Sequence, residues 1–284
     1  LISKRFADGE LYVQIQQSIR GCDVFLVQPT CAPVNDSLME LMIMVDACKR
    51  ASARQITAVI PYYGYARADR KTSGRESITA KLTANLLEKS GVDRVLAMDL
   101  HSAQIQGYFD IPCDHIYGSP VLIDYLETLN LEEVVVVSPD VGGVARARAF
   151  AKLMKDAPLA IIDKRRSAHN TAESLTVIGE VKGKTAILID DMIDTGGTIC
   201  SGANLLKKEG ANRIFACASH AVFSPPSYER LSTKDLFEQV IVTNSIPVVI
   251  KDNFPQLKVL SVANMLGEAI WRIHEESSVS SMFR

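Results

Sequence analysis

Residues 186–198 constrain the fold more than any other stretch of the sequence. They begin with an aliphatic run, continue with Asp190 and Asp191, and reach Gly196 and Gly197 directly before a helix-like segment. A continuous apolar run of this kind predicts a strand of a parallel sheet, because both faces of such a strand are covered. The stretch therefore predicts a strand, a glycine turn and a helix in an α/β fold.

The same stretch carries groups that suit a sugar phosphate. Glycines let the backbone approach a ligand, and the free amides and dipole at a helix start favour a phosphate, to which Thr195 and Thr198 add hydroxyl donors. Asp190, Asp191 and Asp194 would repel a phosphate, so they need another role, such as accepting hydrogen bonds from vicinal hydroxyls or holding a metal through water. A phosphate beside a diol suggests a pentose 5-phosphate. The alternative is an acidic turn that only caps the helix.

The rest of the chain repeats the alternation of strand and helix. Apolar strand-like runs occur at 23–27, 56–60, 95–98, 134–137, 159–163, 214–218, 240–242 and 258–260. The pattern starts afresh near Tyr117, which predicts two domains, 1–117 and 118–274, each a mainly parallel sheet flanked by helices. The tail 275–284 is polar with an apolar anchor, and we expect it to pack on the first domain or on a neighbouring subunit.

Two further segments directly after strands suit a nucleotide. Residues 61–75 combine aromatic rings with dense Arg and Lys, so rings or the Arg67 plane can cover a base while cations meet phosphates. The alternative is a solvated basic loop. His101 also follows a strand, where ligand groups collect in open α/β sheets, and it could bind Mg²⁺ or the nucleotide. The alternative is a structural histidine.

Two more segments suit phosphate chemistry in the second half. Gly142 and Gly143 open a helix and could cradle a second phosphate group whose bridging cation Asp140 holds, although a plain strand-to-helix turn is the alternative. Residues 164–171 contain almost no apolar residue, which is typical of a mobile loop or lid. Its cations would stabilise charge on a transferring phosphoryl group. The alternative is a solvated hairpin tip.

Composition excludes other classes of protein. The chain has 284 residues, enough for two ordinary domains, and its 47% hydrophobic and 23% charged residues are typical of a soluble globular protein. The formal net charge of -2 gives no global sign of a nucleic-acid or membrane partner. Six cysteines without a C-x-x-C pair predict reduced core residues, not a disulfide frame or a zinc site.

Taken together, the motifs resemble the ribose-phosphate diphosphokinase (PRPP synthetase) family over essentially the whole chain. The matching landmarks, in the family's order, are the segments 6–10, 67–68, 99–101, 138–140, 164–166 and 190–198. The resemblance implies two tandem phosphoribosyltransferase-like domains, assembled as dimers within a cytoplasmic homohexamer. It also implies the family reaction for nucleotide biosynthesis, in which ATP and ribose 5-phosphate give PRPP and AMP with Mg²⁺ as cofactor.

The resemblance carries the family's site residues over to matching positions. It implies a catalytic pair, Lys164 and Arg166, on the mobile loop. The implied ATP positions are Phe6, Asp8, Gly9, Glu10, Arg67, Ala68 and His101, of which Phe6, Asp8 and Glu10 reach into an adjacent subunit. The implied ribose 5-phosphate positions are Arg166, Asp190, Asp191, Asp194, Thr195, Gly196, Gly197 and Thr198. The implied diphosphate loop is Asp140, Gly142 and Gly143, with His101 and Asp140 as metal positions. The implied regulatory positions for phosphate and ADP are Ser278, Ser280 and Phe283, as in the phosphate-dependent class.

The sequence also departs from the family. Many members have Gln where this chain has Ala68, so one polar contact to ATP is missing or replaced. Pro29 and Thr30 stand near where many relatives place a regulatory Ser. Members normally have another strand and helix before residue 6, and the absence of an initiator Met suggests that a leader or first element has been removed. An organelle such as a plastid is then the alternative compartment.

Two other functions fit part of the sequence. A phosphoribosyltransferase that consumes PRPP would explain residues 190–198 but would leave the segments at Arg67 and Lys164 without a purpose. A catalytically silent subunit of the same fold should have lost the loop cations or the acidic pair, and this chain keeps both. The sequence therefore favours the diphosphokinase.

Overall fold

The computed structural model describes residues 1–165 and 174–283, which divide into two compact units. Unit 1 consists of Leu1–Tyr117 and Ala263–Arg284, and unit 2 consists of Gly118–Val262. The sequence placed residues 263–274 in the second domain, whereas the structure groups them with the first. His274 Nδ1 lies 3.6 Å from Asp23 Oδ2, and the ring of Phe283 packs edge-on against Tyr117 at 5.7 Å. These contacts attach the C-terminal segment to unit 1.

Unit 1 is built around a four-stranded parallel sheet. Strands β1 (Ile2–Arg5) and β2 (Leu11–Gln14) form a separate antiparallel hairpin. The parallel sheet has the order β3 (Asp23–Val27), β4 (Gln55–Ile60), β5 (Arg94–Met98) and β6 (Cys113–Ile116). Helices α1 (Val34–Arg50) and α2 (Thr79–Ser90) bury apolar residues in one core with these strands.

Unit 2 contains a seven-stranded sheet flanked by helices. In chain order its elements are α3 (Ser119–Thr128), β7 (Val134–Ser138), α4 (Val144–Leu153), β8 (Leu159–Arg165), β9 (Ser174–Ile178), β10 (Thr185–Ile193), α5 (Gly197–Lys208), β11 (Arg213–Ala221), α6 (Ser227–Leu231), β12 (Gln239–Thr243) and β13 (Leu257–Leu260). The strand order is β13-β12-β11-β10-β7-β8-β9, and every pair is parallel except β8 with β9. Helix α7 (Ala263–His274) follows and belongs to unit 1.

The apolar run of β10 is explained by cores on both faces of the sheet. Leu188 lies in one core with Leu206 of α5, and Ile187 lies in a second core with Phe150 of α4. Leu188 and Ile187 are fully buried, and each such side chain contributes about 1.5–3 kcal/mol of hydrophobic stabilisation. The predicted α/β class with helix-flanked parallel sheets is therefore confirmed.

One predicted loop begins later than expected. The sequence placed the loop at 164–171, whereas β8 continues through Lys164 and Arg165 because its antiparallel partner β9 extends the pairing. Lys164 pairs with Leu175 in this register. The remainder of the predicted loop, including Arg166, lies outside the described residues.

The state and burial of the cysteines agree at most positions with the prediction of reduced core residues. Within the described ranges all six are free thiols. Four are buried, Cys113 is half-buried, and Cys22 is exposed, so the prediction of a core residue is wrong for Cys22. No helix in the described part of the chain combines the length and the hydropathy that crossing a membrane requires.

Candidate functional site

The candidate site of unit 2 lies where three neighbouring parallel strands end. Strands β10, β7 and β8 are adjacent, so their carboxyl ends meet at one edge of the sheet. Asp140 follows β7, Lys164 lies near the end of β8, and Asp190 and Asp191 lie in the last half of β10. Ligands of open α/β sheets bind outside such an edge. The structure thus brings these four predicted residues to one edge.

An arginine from α4 forms ion pairs with both acids. Arg146 Nη1 lies 3.1 Å from Asp191 Oδ1 and 3.4 Å from Asp190 Oδ1. The Asp191 side chain is only 2% exposed, whereas 22% of the Asp190 side chain is exposed. Burial, followed by the adjacent Asp191 charge, raises the pKa of Asp190, and Arg146 opposes this shift. A buried carboxylate next to a more accessible one suits the binding of hydroxyl groups, which donate hydrogen bonds to it.

A glycine turn leads from the acidic pair into α5. Gly196 is the N-cap residue and has a φ of +74°, a left-handed conformation that strains any residue with a Cβ. Gly196 has no side chain, so the N-cap residue itself makes no side-chain hydrogen bond to the first turn of α5. Thr195 is exposed and Thr198 is half-buried. The helix start therefore presents backbone amides and hydroxyls, which together suit a phosphate.

Two cations lie beside this turn. Arg230 of α6 donates from Nη1 to the Thr195 carbonyl oxygen at 3.1 Å, and Lys164 Nζ lies 3.5 Å from Thr198 Oγ1. Both side chains are exposed. A Cβ on Gly197 would lie 3.3 Å from the same Arg230 nitrogen, so the guanidinium borders the turn closely. The turn at 194–198 is therefore bordered by two cations as well as by helix amides.

The turn after β7 is held by its own side chains. The Gly143 amide donates to Asp140 Oδ1 at 2.8 Å, and Ser138 Oγ donates to the Asp140 carbonyl at 2.7 Å. A Cβ on Gly143 would lie 2.9 Å from Ser138 Oγ, so only glycine fits there without movement. Gly142 is exposed beside it. Asp140 thus stabilises the turn. This role also fits the alternative of a plain strand-to-helix turn without a ligand.

The candidate nucleotide residues of unit 1 follow the strand ends of its sheet. Arg67 and Ala68 come after β4, and His101 comes after the neighbouring strand β5. Arg67 and His101 are exposed, and the backbone of Ala68 is fixed by its N–H donating to the Tyr65 carbonyl at 3.1 Å. The connections that carry these residues leave the sheet at its carboxyl edge, where ligands of such sheets bind.

The segment 6–10 forms the tip of the β1–β2 hairpin. Phe6 is 47% exposed and packs edge-on against Tyr12 at 5.9 Å. The Glu10 amide donates to Asp8 Oδ1 at 3.2 Å, and Gly9 has a φ of +97°, which favours glycine at this turn. An exposed aromatic ring with two acidic side chains is therefore held on a short, ordered turn.

The tail residues form a short 3-10 turn at Ser280–Phe283. The hydroxyls of Ser278 and Ser280 are 3.1 Å apart, and both residues are exposed. Phe283 contacts Tyr117, whose ring is 4.6 Å from that of His115. The His115 ring in turn accepts a hydrogen bond from the Leu100 amide, next to His101. The tail therefore packs close to the end of β5.

The donor set for Mg²⁺ is sparse. Within the described ranges, no group of three or more His, Cys, Asp or Glu side chains is placed to hold a metal ion. Mg²⁺ usually keeps several waters and is held by one or two carboxylates together with substrate phosphates. Asp140 fits this chemistry as a single carboxylate, whereas the imidazole of His101 is a poorer direct ligand for so hard a cation.

Sequence reasoning missed Arg146 and Arg230. Both come from helices that are distant along the chain from residues 190–198, and neither lies in a recognisable motif. One signal was available, because a carboxylate on a buried strand face requires a cation. Helix α4 carries two arginines, Arg146 and Arg148, and the sequence alone does not choose between them.

Comparisons with known proteins agree with this geometry. Residues 2–91 match the family model of the N-terminal domain of ribose phosphate pyrophosphokinase, and residues 160–284 match that of the phosphoribosyl synthetase-associated domain. A ribose-phosphate pyrophosphokinase of Prochlorococcus marinus subsp. pastoris is 95% identical over 100% of this chain and 86% of its own. The ribose-phosphate pyrophosphokinase of Synechococcus elongatus is 77% identical, again over 100% of this chain and 86% of its own.

A solved structure gives the same result. The phosphoribosylpyrophosphate synthetase of Mycobacterium smegmatis is 46% identical and matches with a TM-score of 0.91 over 97% of this chain and 90% of its own. The resemblance found in the sequence is therefore confirmed over both units. Because the likeness extends along the whole chain rather than over one loop, the chain belongs to the ribose-phosphate pyrophosphokinase family.

Proposed function

We propose that this chain transfers the diphosphoryl group of ATP to the 1-hydroxyl of ribose 5-phosphate, giving PRPP and AMP for nucleotide biosynthesis. The observation that carries the proposal is the edge of unit 2, where the glycine turn at the start of α5 adjoins the acidic pair and Lys164. A phosphate site beside hydroxyl acceptors suits a pentose 5-phosphate. Membership of the family supports the same substrates.

The roles in unit 2 follow from this arrangement. The 5-phosphate binds at residues 194–198, where backbone amides and threonine hydroxyls donate to it. The more accessible Asp190 faces the ribose hydroxyls, and the buried Asp191 belongs to the same ribose 5-phosphate site next to it. Asp140, Gly142 and Gly143 border the diphosphoryl group, whose extra negative charge the start of α4 favours.

The roles in unit 1 concern ATP. The ATP residues that we propose are Phe6, Asp8, Gly9, Glu10, Arg67, Ala68 and His101. The hairpin tip at 6–10 serves the site of an adjacent subunit, which its exposed Phe6 ring supports. Arg67 meets phosphates or covers the adenine ring, since guanidinium planes do both.

The chemistry needs positioning and charge neutralisation more than covalent help. The anomeric hydroxyl attacks the β-phosphorus of ATP, and AMP leaves. Lys164 and Arg166 stabilise the charge that spreads over the transferring group. Asp140 and His101 are the proposed Mg²⁺-associated positions, His101 through water or the ATP phosphates, and Mg²⁺ bound there would neutralise phosphate charge.

The proposal extends to assembly and regulation. We place the enzyme in the cytoplasm as dimers within a homohexamer. Phosphate and ADP act as effectors at Ser278, Ser280 and Phe283, as in the phosphate-dependent class. The packing of Phe283 against Tyr117, next to the end of β5, supports communication between the tail and the ATP residues.

The test is a product analysis by anion-exchange chromatography. We expect the protein with Mg²⁺, ATP and ribose 5-phosphate to form AMP and PRPP in equal amounts, and to form neither when ribose 5-phosphate is omitted. Consumption of PRPP with a purine or pyrimidine base, without AMP formation from ATP, would favour a phosphoribosyltransferase. Intact ATP with both substrates bound would favour a catalytically silent subunit.

Gly196→Ala is expected to weaken ribose 5-phosphate binding. The left-handed φ costs an alanine about 1–2 kcal/mol of stability, and relief of this strain moves the turn that holds the phosphate. We expect the KM for ribose 5-phosphate to rise about tenfold or more, since about 1.4 kcal/mol of lost binding corresponds to a factor of ten.

Gly183→Ala is the matched control. Gly183 has a φ of +75° but lies in the turn before β10, with open space around the added Cβ. Its alanine variant should show the same loss of stability in urea unfolding without a change in KM. Equal KM values for the two variants would contradict the proposed phosphate turn.

A further inference from the structure

We propose that Arg146 is the positioning residue of the acidic pair: it compensates the buried charge of Asp191 and so fixes Asp190 against the ribose hydroxyls. The inference rests on the proposed function of this edge. Neither carboxylate was linked to Arg146 by sequence reasoning, and Arg146 lies 44 residues or more before the pair.

Asp191 lies on the face of β10 that α4 covers. Side chains alternate between the faces of a strand, so Asp191 continues the face of Ile187 and Ile189. These two side chains lie in the core that α4 covers through Ala147 and Phe150. Asp191 therefore enters the interface between β10 and α4, which explains its 2% exposure.

Burying the Asp191 carboxylate in this interface is electrostatically unfavourable. An unpaired buried carboxylate loses several kcal/mol of solvation, and a second carboxylate next to it adds repulsion. Arg146 Nη1, at 3.1 Å from Asp191 Oδ1, is placed to compensate both effects. Buried pairs of this kind stabilise little by themselves, but removing one partner is strongly unfavourable.

Asp190 contacts the same guanidinium that pairs with Asp191. Its Oδ1 accepts the Asp191 amide at 2.9 Å and lies 3.4 Å from Arg146 Nη1. The orientation of Asp190 therefore depends on the same guanidinium and on the backbone of Asp191. Removing Arg146 takes away a close ion-pair partner of the buried Asp191, and we expect the rearrangement or protonation that follows to disturb the acceptor geometry for the ribose hydroxyls.

The helix that carries Arg146 provides both rigidity and a control. Ala147 and Phe150 are buried, so α4 holds Arg146 in place near the helix start. Arg148 belongs to the same helix but is exposed. Arg148→Met thus changes charge, size and helix propensity as Arg146→Met does, away from the acidic pair.

The test compares Arg146→Met, Arg146→Lys and Arg148→Met in the full chain. For Arg146→Met we expect the KM for ribose 5-phosphate to rise at least about tenfold while the KM for ATP changes less than about twofold. Arg146→Lys should recover part of the loss, because it restores the charge without the planar fork. Arg148→Met should have the wild-type KM for both ribose 5-phosphate and ATP. Equal rises in both KM values, or no rise, would overturn the inference.

Calorimetric titration with ribose 5-phosphate alone separates this inference from the proposed function. We expect its Kd to weaken at least about tenfold in Arg146→Met but not in Arg148→Met. A wild type that binds ribose 5-phosphate but forms no PRPP would contradict the proposed function, and the calorimetric comparison would still decide the role of Arg146.

A double variant covers the case in which Arg146→Met folds poorly. The double variant Arg146→Met/Asp191→Asn should fold better than Arg146→Met alone, because both charges of this buried ion pair are removed together. Its ribose 5-phosphate affinity should then exceed that of the single variant. Additive losses in a double-mutant cycle would overturn the inference.

Discussion

Lys164→Ala is expected to lower kcat for PRPP formation by a factor of about 10³, with ATP affinity changed less than about twofold. Lys164 lies near the end of β8 with its exposed ammonium group 3.5 Å from Thr198 Oγ1, beside the proposed phosphate turn. A cation there stabilises charge that develops only as the diphosphoryl group transfers. Removing it should therefore affect the transition state more than the bound substrates.

The matched control for this prediction is Lys208→Ala. Lys208 is an exposed lysine at the opposite end of α5, the helix whose first turn contains Thr198. The control removes the same charge at about 15 Å along the helix axis, given a rise of about 1.5 Å per residue. Wild-type kcat is expected for Lys208→Ala. Equal losses of kcat and of ATP affinity in Lys164→Ala would contradict the catalytic role.

Gly64→Ala is expected to lower the free energy of unfolding by about 3 kcal/mol, because the added Cβ has no room. It would lie 2.4 Å from the Thr30 carbonyl oxygen and 3.2 Å from Thr30 Oγ1. The Gly64 amide also donates to Thr30 Oγ1 at 2.6 Å, and Thr30 is buried, so backbone must move. This movement should displace Arg67 and raise the KM for ATP.

Gly74→Ala is the control for this steric argument. Gly74 belongs to the same basic stretch, but an added Cβ there meets nothing within 4 Å. Its urea midpoint and its KM for ATP should match those of the wild type. A Gly64→Ala variant as stable as Gly74→Ala would show that the Thr30 contact does not constrain this loop.

The sequence predicted the parts of the fold that depend on local patterns. The strand, turn and helix at 186–198 were recognised because the apolar run, the acids and the glycines are consecutive. The structure starts α5 at Gly197, inside the stretch that the sequence predicted as a glycine turn. The buried parallel strands were found for the same reason, since a continuous apolar run indicates a strand that is covered on both faces.

Elements that depend on pairing partners were missed. Strand β1 (Ile2–Arg5) is exposed at all four residues, so no apolar alternation marks it. Strand β9 exists through its antiparallel pairing with β8, which also converts Lys164 from a predicted loop residue into a strand residue. Pairing of this kind is decided by distant segments, which local periodicity does not report.

The candidate site shows the same limit. Asp190 and Asp191 were found by their position after an apolar run, but the side on which Arg146 meets them depends on how α4 packs against β10. Arg230 reaches Thr195 from α6, which follows another strand. The acidic residues of the site could therefore be predicted from the sequence. The arginines that hold them and the adjoining turn in place could be identified only from the three-dimensional structure.

Phosphorus NMR of the protein with Mg²⁺, ATP and ribose 5-phosphate shows which phosphorus of ATP is attacked. We expect the three ATP resonances to decline together while AMP and a diphosphate ester of the sugar grow in equal amounts. Formation of ADP with a sugar bisphosphate would place the attack on the γ-phosphorus and contradict the proposed reaction. An unchanged ATP spectrum in the presence of both substrates would contradict the account as a whole.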